Sequence, residues 1–90
     1  MPQPTVGRTV LYQLSDDDAR HITQQRATNG ISGNAAAEGQ VFPAVVVRIF
    51  PGNPHDVVNL KVLLDGPDIF WATSRHEGDE PGTWAWPERV

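Results

Sequence analysis

Apolar side chains fill almost every position of residues 41–50 (VFPAVVVRIF), where Arg48 is the only charged residue. A strand that is apolar on both sides is buried on both faces, or is buried on one face and contacts another subunit with the other. Pro43 has no amide donor, which predicts a sheet edge or a bulge near the start of this strand. This segment is the strongest predicted strand of the chain.

Two shorter apolar stretches follow it. Residues 58–64 carry apolar side chains at every even position, which is the pattern of a half-exposed strand. Residues 65–68 (DGPD) have the composition of a hairpin turn, and residues 69–73 return as a third strand. With a further turn at residues 51–55, these stretches predict a β-meander over residues 41–74.

The first half of the chain is more polar and predicts one strand and one helix. Residues 4–14 predict a strand in which Gly7 is a bend or a bulge. Ser15 and Asp18 fit a capping box, so a helix is predicted over residues 16–28. Its apolar stripe is thin, which indicates a helix on the surface of the domain.

The segment after the helix is rich in small residues. Gly30 is suited to a left-handed helix cap, and residues 29–40 predict a flexible loop. The whole pattern predicts a single domain over residues 1–90 that ends in a Trp-rich tail at residues 81–90. The predicted fold is mainly β with one short helix, either a small SH3-like β-barrel or a strongly bent antiparallel sheet.

Composition excludes several classes of protein. The chain has 90 residues, no cysteine and a formal net charge of −4. No apolar run reaches about 18 residues and the N-terminus lacks signal-peptide regions, so we expect no membrane association and a cytoplasmic location. An acidic domain is a poor general binder of nucleic-acid backbones. Small domains without disulfides often depend on a partner subunit, which predicts a homo-oligomer.

Three tryptophans, Trp71, Trp84 and Trp86, lie close together in sequence, and Tyr12 is expected near them. One interpretation places them in the core, since large aromatic side chains bury much area per residue. The other makes them a stacking surface for a nucleobase, a proline-rich peptide or an aromatic side chain of a partner.

Polar donors follow Trp71 directly. Ser74, Arg75 and His76 supply hydroxyl, guanidinium and imidazole groups, and an aromatic face beside such donors suits a nucleotide. The Ser-His pair fits no nucleophile motif, because no partnered carboxylate and no nucleophile elbow accompany it. Arg48 and Arg8 are candidates for additional phosphate contacts. The predicted ligand-binding residues are Tyr12, Arg48, Trp71, Ser74, Arg75, His76, Trp84 and Trp86.

Metal binding and catalysis are not predicted. His21, His55 and His76 are too scattered for a zinc site. The acidic residues lack the spacing of a calcium-binding loop. No nucleophile, base and orienting group can be assembled from named residues. We therefore expect no cofactor, no metal ion and no enzymatic activity.

Four short motifs suggest a resemblance to a known group of proteins. They are residues 4–8 (PTVGR), 58–66 (VNLKVLLDG), 71–74 (WATS) and 81–87 (PGTWAWP). In these motifs the chain resembles small, mostly uncharacterised proteins of tailed bacteriophages, of the actinobacteriophage type. The resemblance implies expression in a bacterial host, as an accessory protein of the host cytoplasm or as a component of the virion.

Three functions are compatible with these features. The first is a non-catalytic phage accessory protein that binds a ligand and sequesters a cyclic nucleotide signal of host defence. The second is a virion structural or decoration protein, which would explain a strand that is apolar on both faces. The third is a protein-recognition module that inhibits a host enzyme through its aromatic residues.

Overall fold

The computed structural model describes residues 3–52 and 57–88, and these form one antiparallel sheet and one helix. The strands follow the order β4-β3-β2-β1-β5 across the sheet, and the helix lies between β1 and β2 in the chain. The predicted mainly-β fold with one helix is therefore confirmed. The elements are β1 (Thr9–Gln13), α1 (Asp16–Asn29), β2 (Val41–Ile49), β3 (Val58–Leu63), β4 (Ile69–Arg75) and β5 (Trp84–Ala85).

The sheet is open, so of the two predicted architectures the strongly bent sheet fits and the SH3-like barrel does not. Closure would need a ladder between the edge strands β4 and β5. Within the described residues, the segment after β4 meets β5 through an isolated parallel bridge between Glu77 and Trp84. The register of β2 against β3 shifts between Val46 and Arg48, and such irregularities bend a sheet locally.

One face of the sheet forms the core with α1. Side chains on this inner face come from all five strands, as the alternation of strand positions requires. From the helix, Ile22 and Ala19 pack against the sheet, which agrees with the thin apolar stripe of the sequence. The buried cluster consists of Val10, Tyr12, Leu14, Ile22, Ala44, Val46, Val58, Leu60, Val62, Leu64, Phe70, Ala72 and Trp84.

The outer face of the sheet has no covering layer within the described residues. Strand β2, predicted to be apolar on both sides, buries Ala44 and Val46 inside but leaves Val41 and Val47 exposed. The pairing of β2 with β3 begins at Ala44, one residue after Pro43. The missing amide of Pro43 thus lies at the end of this ladder, as the sequence predicts for an edge or a bulge.

Both ends of α1 are closed by caps that the sequence predicts. The Ser15 side chain accepts a hydrogen bond from the Asp18 amide at 3.1 Å, and the Asp18 carboxylate accepts one from the Ser15 amide at 3.0 Å. Gly30 has φ 66° and ψ 33°, the left-handed cap conformation. The helix extends one residue beyond the predicted range.

A salt bridge joins α1 to the hairpin between β3 and β4. The Arg26 guanidinium donates to both carboxylate oxygens of Asp68, at 2.9 and 3.0 Å. It lies between two glycines, since a Cβ atom built on Gly33 or Gly66 would be 2.8 or 2.9 Å from Nη2 of Arg26. The absence of side chains at these two positions therefore makes room for the arginine.

The segment between α1 and β2 contains no helix or strand but is attached at both ends. Asn34 donates from its amide nitrogen to the Asp65 carbonyl at 2.9 Å and from its side chain to the Asp65 carboxylate at 2.8 Å. Gly39 donates to the Leu14 carbonyl at 2.9 Å. The mobility predicted for this loop stays a prediction. Residues 53–56 of the predicted turn, including His55, and residues 89–90 of the tail lie outside the described residues.

Candidate functional site between the helix and the edge strand

Arg75 is directed toward the helix by a bulge at the end of β4. Ser74 has φ 54°, in the left-handed region, and its amide donates to the Asn59 side-chain carbonyl at 2.7 Å. Leu60 pairs with Ala72 and Val58 pairs with Arg75, so β4 advances by three residues where β3 advances by two. An extra residue reverses the alternation of faces beyond it, so Arg75 shares the inner face with Ala72.

On the inner face, Arg75 completes a network with Tyr12 of β1 and Asp18 of α1. The Tyr12 hydroxyl donates to Asp18 Oδ2 at 2.5 Å and accepts from Arg75 Nε at 2.7 Å. Arg75 Nη2 donates to Asp18 Oδ1 at 2.8 Å. Arg75 Nη1 donates to the Thr73 carbonyl at 2.7 Å. The guanidinium predicted to hold a ligand phosphate is therefore engaged by the protein itself.

The network fixes the charges of its members at neutral pH. Burial tends to raise the pKa of Asp18, but the Ser15 amide, the Tyr12 hydroxyl and Arg75 outweigh it, so that pKa lies below its usual range. Burial and the hydrogen bond to Asp18 raise the pKa of Tyr12. Burial tends to lower the pKa of Arg75, yet its bonds to Tyr12 and Asp18 raise it. Carboxylate and guanidinium thus stay ionised and the phenol stays neutral.

A groove runs beside this network between α1 and β4. It encloses about 400 Å³. The rings of His21 and Phe70, which both line it, contact each other at a tilt of 56°, with centroids 6.0 Å apart. Trp71 is 59% exposed at its rim. The groove is lined by Asp17, Asp18, His21, Gln25, Phe70, Trp71, Thr73 and Arg75.

The charge of the groove is negative. Asp18 is compensated by Arg75, while Asp17 makes no hydrogen bond or ion pair within residues 3–52 and 57–88. Asp16, one residue earlier, lies outside the groove and pairs with Arg20. Asp17 interacts electrostatically with Arg20 at longer range, but it is the groove carboxylate that has no ion-pair partner within the described residues.

The groove borders a free backbone edge. The Val46 amide donates to the Arg8 carbonyl at 2.9 Å, so the backbone N–H and C=O groups of the even-numbered β2 residues point toward β1 and those of the odd-numbered residues point toward β3. By the same alternation, the backbone groups of the even-numbered β3 residues point toward β4. The N–H and C=O groups of Ile69 and Trp71 consequently point away from β3, along the outer edge of the sheet.

The structure separates the predicted tryptophan cluster. Trp84 is fully buried, and its backbone pairs with that of Tyr12, so it belongs to the core and cannot border an open recess. Trp86 is half-buried and packs edge-to-face on Trp84, with centroids 5.4 Å apart. Arg8 lies over the Trp86 ring at 4.9 Å. Trp71 is the tryptophan that lines the groove.

The remaining predicted residues are also dispersed. Arg48 stacks over Phe50 at 5.3 Å and does not line the groove. Ser74 is exposed and forms the bulge. His76 is exposed, and its carbonyl accepts from the Trp84 amide at 3.2 Å. Of the predicted set, the structure brings Trp71 and Arg75 to one groove, with Tyr12 behind Arg75.

The helix supplies three groove residues that the sequence prediction missed. Asp17, His21 and Gln25 are spaced by four residues and therefore lie on one face of α1. This polar stripe is present in the sequence. Its spacing was the signal that could have identified these residues.

Comparison with protein-family models, curated proteins and solved structures gives no match for this chain. Among the described residues, no group of three or more histidine and acidic side chains is placed to hold a metal ion. No helix in that part of the chain has the length and apolar character needed to cross a membrane.

Proposed function

We propose that the chain is a non-catalytic protein-recognition module that binds an extended peptide segment with a basic side chain along β4. The observation that carries this proposal is the free edge of β4 beside a groove with a carboxylate, Asp17, that has no ion-pair partner within the described residues. This is the third of the functions considered from the sequence, and the groove supports it better than a nucleotide trap.

The backbone edge favours an extended peptide as the ligand. An added strand pairs with exposed N–H and C=O groups, and pockets for alternate side chains give specificity. At β4, the backbone N–H and C=O groups of Ile69 and Trp71 point away from β3, along the free edge of the sheet. Every second side chain of an added strand would face the groove, and the others would continue the outer face of the sheet.

The charge of the groove favours a cation. A phosphate group would approach Asp17 and would find the Arg75 charge already compensated by Asp18. A lysine or arginine side chain would instead pair with Asp17. The Trp71 ring is not needed for this contact, because the Lys61 ammonium already lies 5.7 Å from its centroid.

The network behind the groove supports a binding role over catalysis. A general acid or base works best with a pKa near the operating pH. The pKa of Asp18 is lowered and that of Tyr12 is raised, so both shifts lead away from neutrality. The three side chains hold α1, β1 and β4 together and keep the wall of the groove rigid.

The resemblance to phage proteins supplies the setting of the proposal. In a phage-infected bacterium, the natural ligand would be a segment of a host protein. A module of this size would block that segment by occupying it, without chemistry of its own.

The test uses four twelve-residue peptides with alternating Val and Thr residues and a central Lys, Arg, Ala or Glu. We expect the Lys and Arg peptides to bind and to shift the backbone amide NMR signals of Ile69 and Trp71. Asp17→Asn should weaken this binding about fivefold to tenfold, the loss of one charge-assisted contact in a partly exposed groove.

Asp16→Asn is the matched control, because it removes the same charge from the same helix turn outside the groove. Its affinity for the peptides should equal that of the wild type. Cyclic di-AMP and cyclic tri-AMP form a second arm of the titration. Binding of these nucleotides without binding of the basic peptides would overturn the proposal in favour of a nucleotide trap. Equal binding of the Glu and Lys peptides would refute the role of Asp17.

A further inference from the structure

We infer that the peptide segment lies antiparallel to β4 and that its sequence follows the order basic, apolar, any, apolar from the N-terminal side. This inference rests on the proposed function, and it adds the direction of the bound segment and the residues that select its side chains. It is carried by the direction of α1 along β4 and by two exposed apolar side chains of the free edge, Ile69 and Trp71.

Helix α1 runs alongside β4 in the opposite direction, because its contacts with the strand and the residue before it follow in reverse order. From the start of the helix to its end, the pairs are Asp18 and Thr73, which bind the same Arg75 guanidinium, then His21 and Phe70, then Arg26 and Asp68. Asp17, in the first turn of the helix, therefore lies toward the carboxyl end of β4.

The free edge fixes which side chains of an added strand face outward. The backbone N–H and C=O groups of Ile69 and Trp71 point along this edge, so each of them pairs directly with one residue of an antiparallel strand. Directly paired residues place their side chains on the same face. The ligand residues opposite Ile69 and Trp71 therefore lie on the outer face, and those opposite Phe70 and Ala72 face the groove.

The outward positions of the ligand meet apolar side chains. Ile69 and Trp71 are both more than half exposed, and Leu63, which pairs with Ile69 on β3, is exposed beside them. Apolar residues of an added strand would pair across with these side chains and cover them from water. The Lys61 ammonium, 5.7 Å from the Trp71 ring centroid, disfavours a second cation at this outward position. Both outward positions therefore favour residues such as Val and Ile.

The groove favours a cation at one end of the strand. Asp17 lies toward the carboxyl end of β4, where the inward position of the ligand is the one opposite Ala72. Before the amino end of β4, Asp68 is bound by two nitrogen atoms of Arg26, at 2.9 and 3.0 Å, so its charge is already compensated. A basic side chain of the ligand is therefore favoured opposite Ala72 and not at the other end.

An antiparallel direction then fixes the order of the ligand residues. Antiparallel pairing is slightly more stable per residue than parallel pairing, and every ladder between the described strands is antiparallel. An antiparallel ligand runs from the position opposite Ala72 to the position opposite Ile69. Its first residue is basic, its second contacts Trp71, its third faces Phe70 and its fourth contacts Ile69.

The test uses three twelve-residue peptides of identical composition, each with a central block of five residues between threonines. The blocks are Lys-Val-Thr-Val-Thr, its reversal Thr-Val-Thr-Val-Lys, and the shifted Lys-Thr-Val-Thr-Val. We expect the first peptide to bind most tightly. The reversed peptide should bind about fivefold to tenfold more weakly, because its lysine would meet Arg26 or its strand would be parallel. The shifted peptide should bind about threefold to tenfold more weakly, since its valines leave the outer face.

A spin label measures the direction of the bound peptide. With a nitroxide at the N-terminus of the first peptide, the backbone amide NMR signals of Asp17 and Thr73 should broaden more than that of Gly66 in the hairpin before β4. The opposite pattern would show a parallel ligand and would overturn the inference.

A protein variant tests the selection of the fourth residue. Ile69→Thr should reduce the preference for the first peptide over one with Lys-Val-Thr-Thr-Thr from about threefold to about equal affinity, because the apolar partner is removed. Val47→Thr is the matched control, since Val47 is an exposed valine on β2, away from the free edge. It should leave this preference unchanged, and an equal effect of both variants would overturn the role of Ile69.

The outcomes distinguish this inference from the proposed function. Binding of the forward and reversed peptides with equal affinity, together with loss of binding when lysine is replaced by glutamate, would overturn the inference alone. Absence of binding by all of the peptides would overturn both.

Discussion

Asp18 accepts hydrogen bonds from three other residues, one in its own cap and two on different strands. It binds the Ser15 amide, the Tyr12 hydroxyl and the Arg75 guanidinium. Through these contacts one carboxylate caps α1 and joins it to two strands. Removing a partner from a buried network costs more than a single hydrogen bond, because the remaining groups are left desolvated.

The first prediction concerns pH. The folded pKa of Asp18 lies below its unfolded value, so its contribution to the free energy of unfolding is present above about pH 4 and is lost as the pH falls through the folded pKa. Asp18→Asn should lower the free energy of unfolding by about 2–3 kcal/mol at pH 7. Urea titrations at several pH values measure the difference between the two proteins, which should shrink in acid.

Asp16→Asn is the control for this experiment, because the exposed Asp16–Arg20 pair is screened by solvent. Its free energy of unfolding should follow the wild-type curve at all pH values. A constant difference between Asp18→Asn and the wild type down to pH 2 would contradict the role of the ionised carboxylate.

The second prediction concerns Ser74. An L-residue in the left-handed region costs about 1–2 kcal/mol, while glycine adds about 0.5–1 kcal/mol of unfolded-state entropy. Ser74→Gly should therefore leave the protein equally stable or up to about 1 kcal/mol more stable. Ser74→Val should destabilise it, since a branched side chain fits this conformation poorly. The midpoint of thermal unfolding of each variant measures these effects. A clearly lower midpoint for Ser74→Gly would show that the serine side chain has a structural role.

At the level of the elements, α1 is held to the rest of the protein by charged contacts at both ends as well as by Ile22. The Asp18 network anchors its first turn, and the Arg26–Asp68 salt bridge anchors its last turn. The hydrogen bond from Arg26 lowers the pKa of Asp68, so this contact also persists at neutral pH. A helix with a thin apolar stripe thus obtains its position from paired charges.

The third prediction tests the space around Arg26. Gly33→Ala should destabilise the protein by about 1–3 kcal/mol, because the three atoms nearest to its Cβ, at 2.8 to 3.1 Å, all belong to the Arg26 guanidinium. Arg26→Ala alone should also destabilise it, since Asp68 loses its partner. In the Arg26→Ala background, the glycine-to-alanine substitution should lower the free energy of unfolding much less than it does in the wild type. Chemical denaturation of the four proteins gives the coupling energy, and additive losses would contradict a direct clash.

At the scale of the whole molecule, the pattern of the sequence was sufficient for β1 to β4 and the helix, whereas β5 was predicted only as part of a Trp-rich tail. Residues 58–63 have apolar side chains at every even position, and Ser15 with Asp18 and Gly30 marked the helix ends through local chemistry. Strand β1 proved shorter than predicted, because Gly7 has φ 93° within a turn that precedes it. These features depend on neighbours in sequence, which is why a single sequence reveals them.

The site was harder to predict because it depends on contacts between distant residues. Nothing local to Arg75 indicates that a bulge at Ser74 directs it to Tyr12 and Asp18, more than fifty positions away in the chain. Trp84 and Trp71 have the same side chain and both lie on edge strands, yet Trp84 is buried in the core and Trp71 is exposed. The open sheet likewise depends on whether β4 and β5 meet, which their sequences do not specify.

The bridge between Glu77 and Trp84 affects how well the exposed sheet edge could template fibril growth. Gly78 donates to the Trp84 carbonyl at 2.9 Å, and Trp84 donates to the His76 carbonyl at 3.2 Å. The chain that leaves one margin of the sheet is thereby tied to the other margin, and the sheet cannot flatten. Cross-β aggregates grow from flat strands stacked in register. A sheet that is held in this curled shape would keep the β4 edge exposed for binding without offering a flat template for the growth of cross-β aggregates.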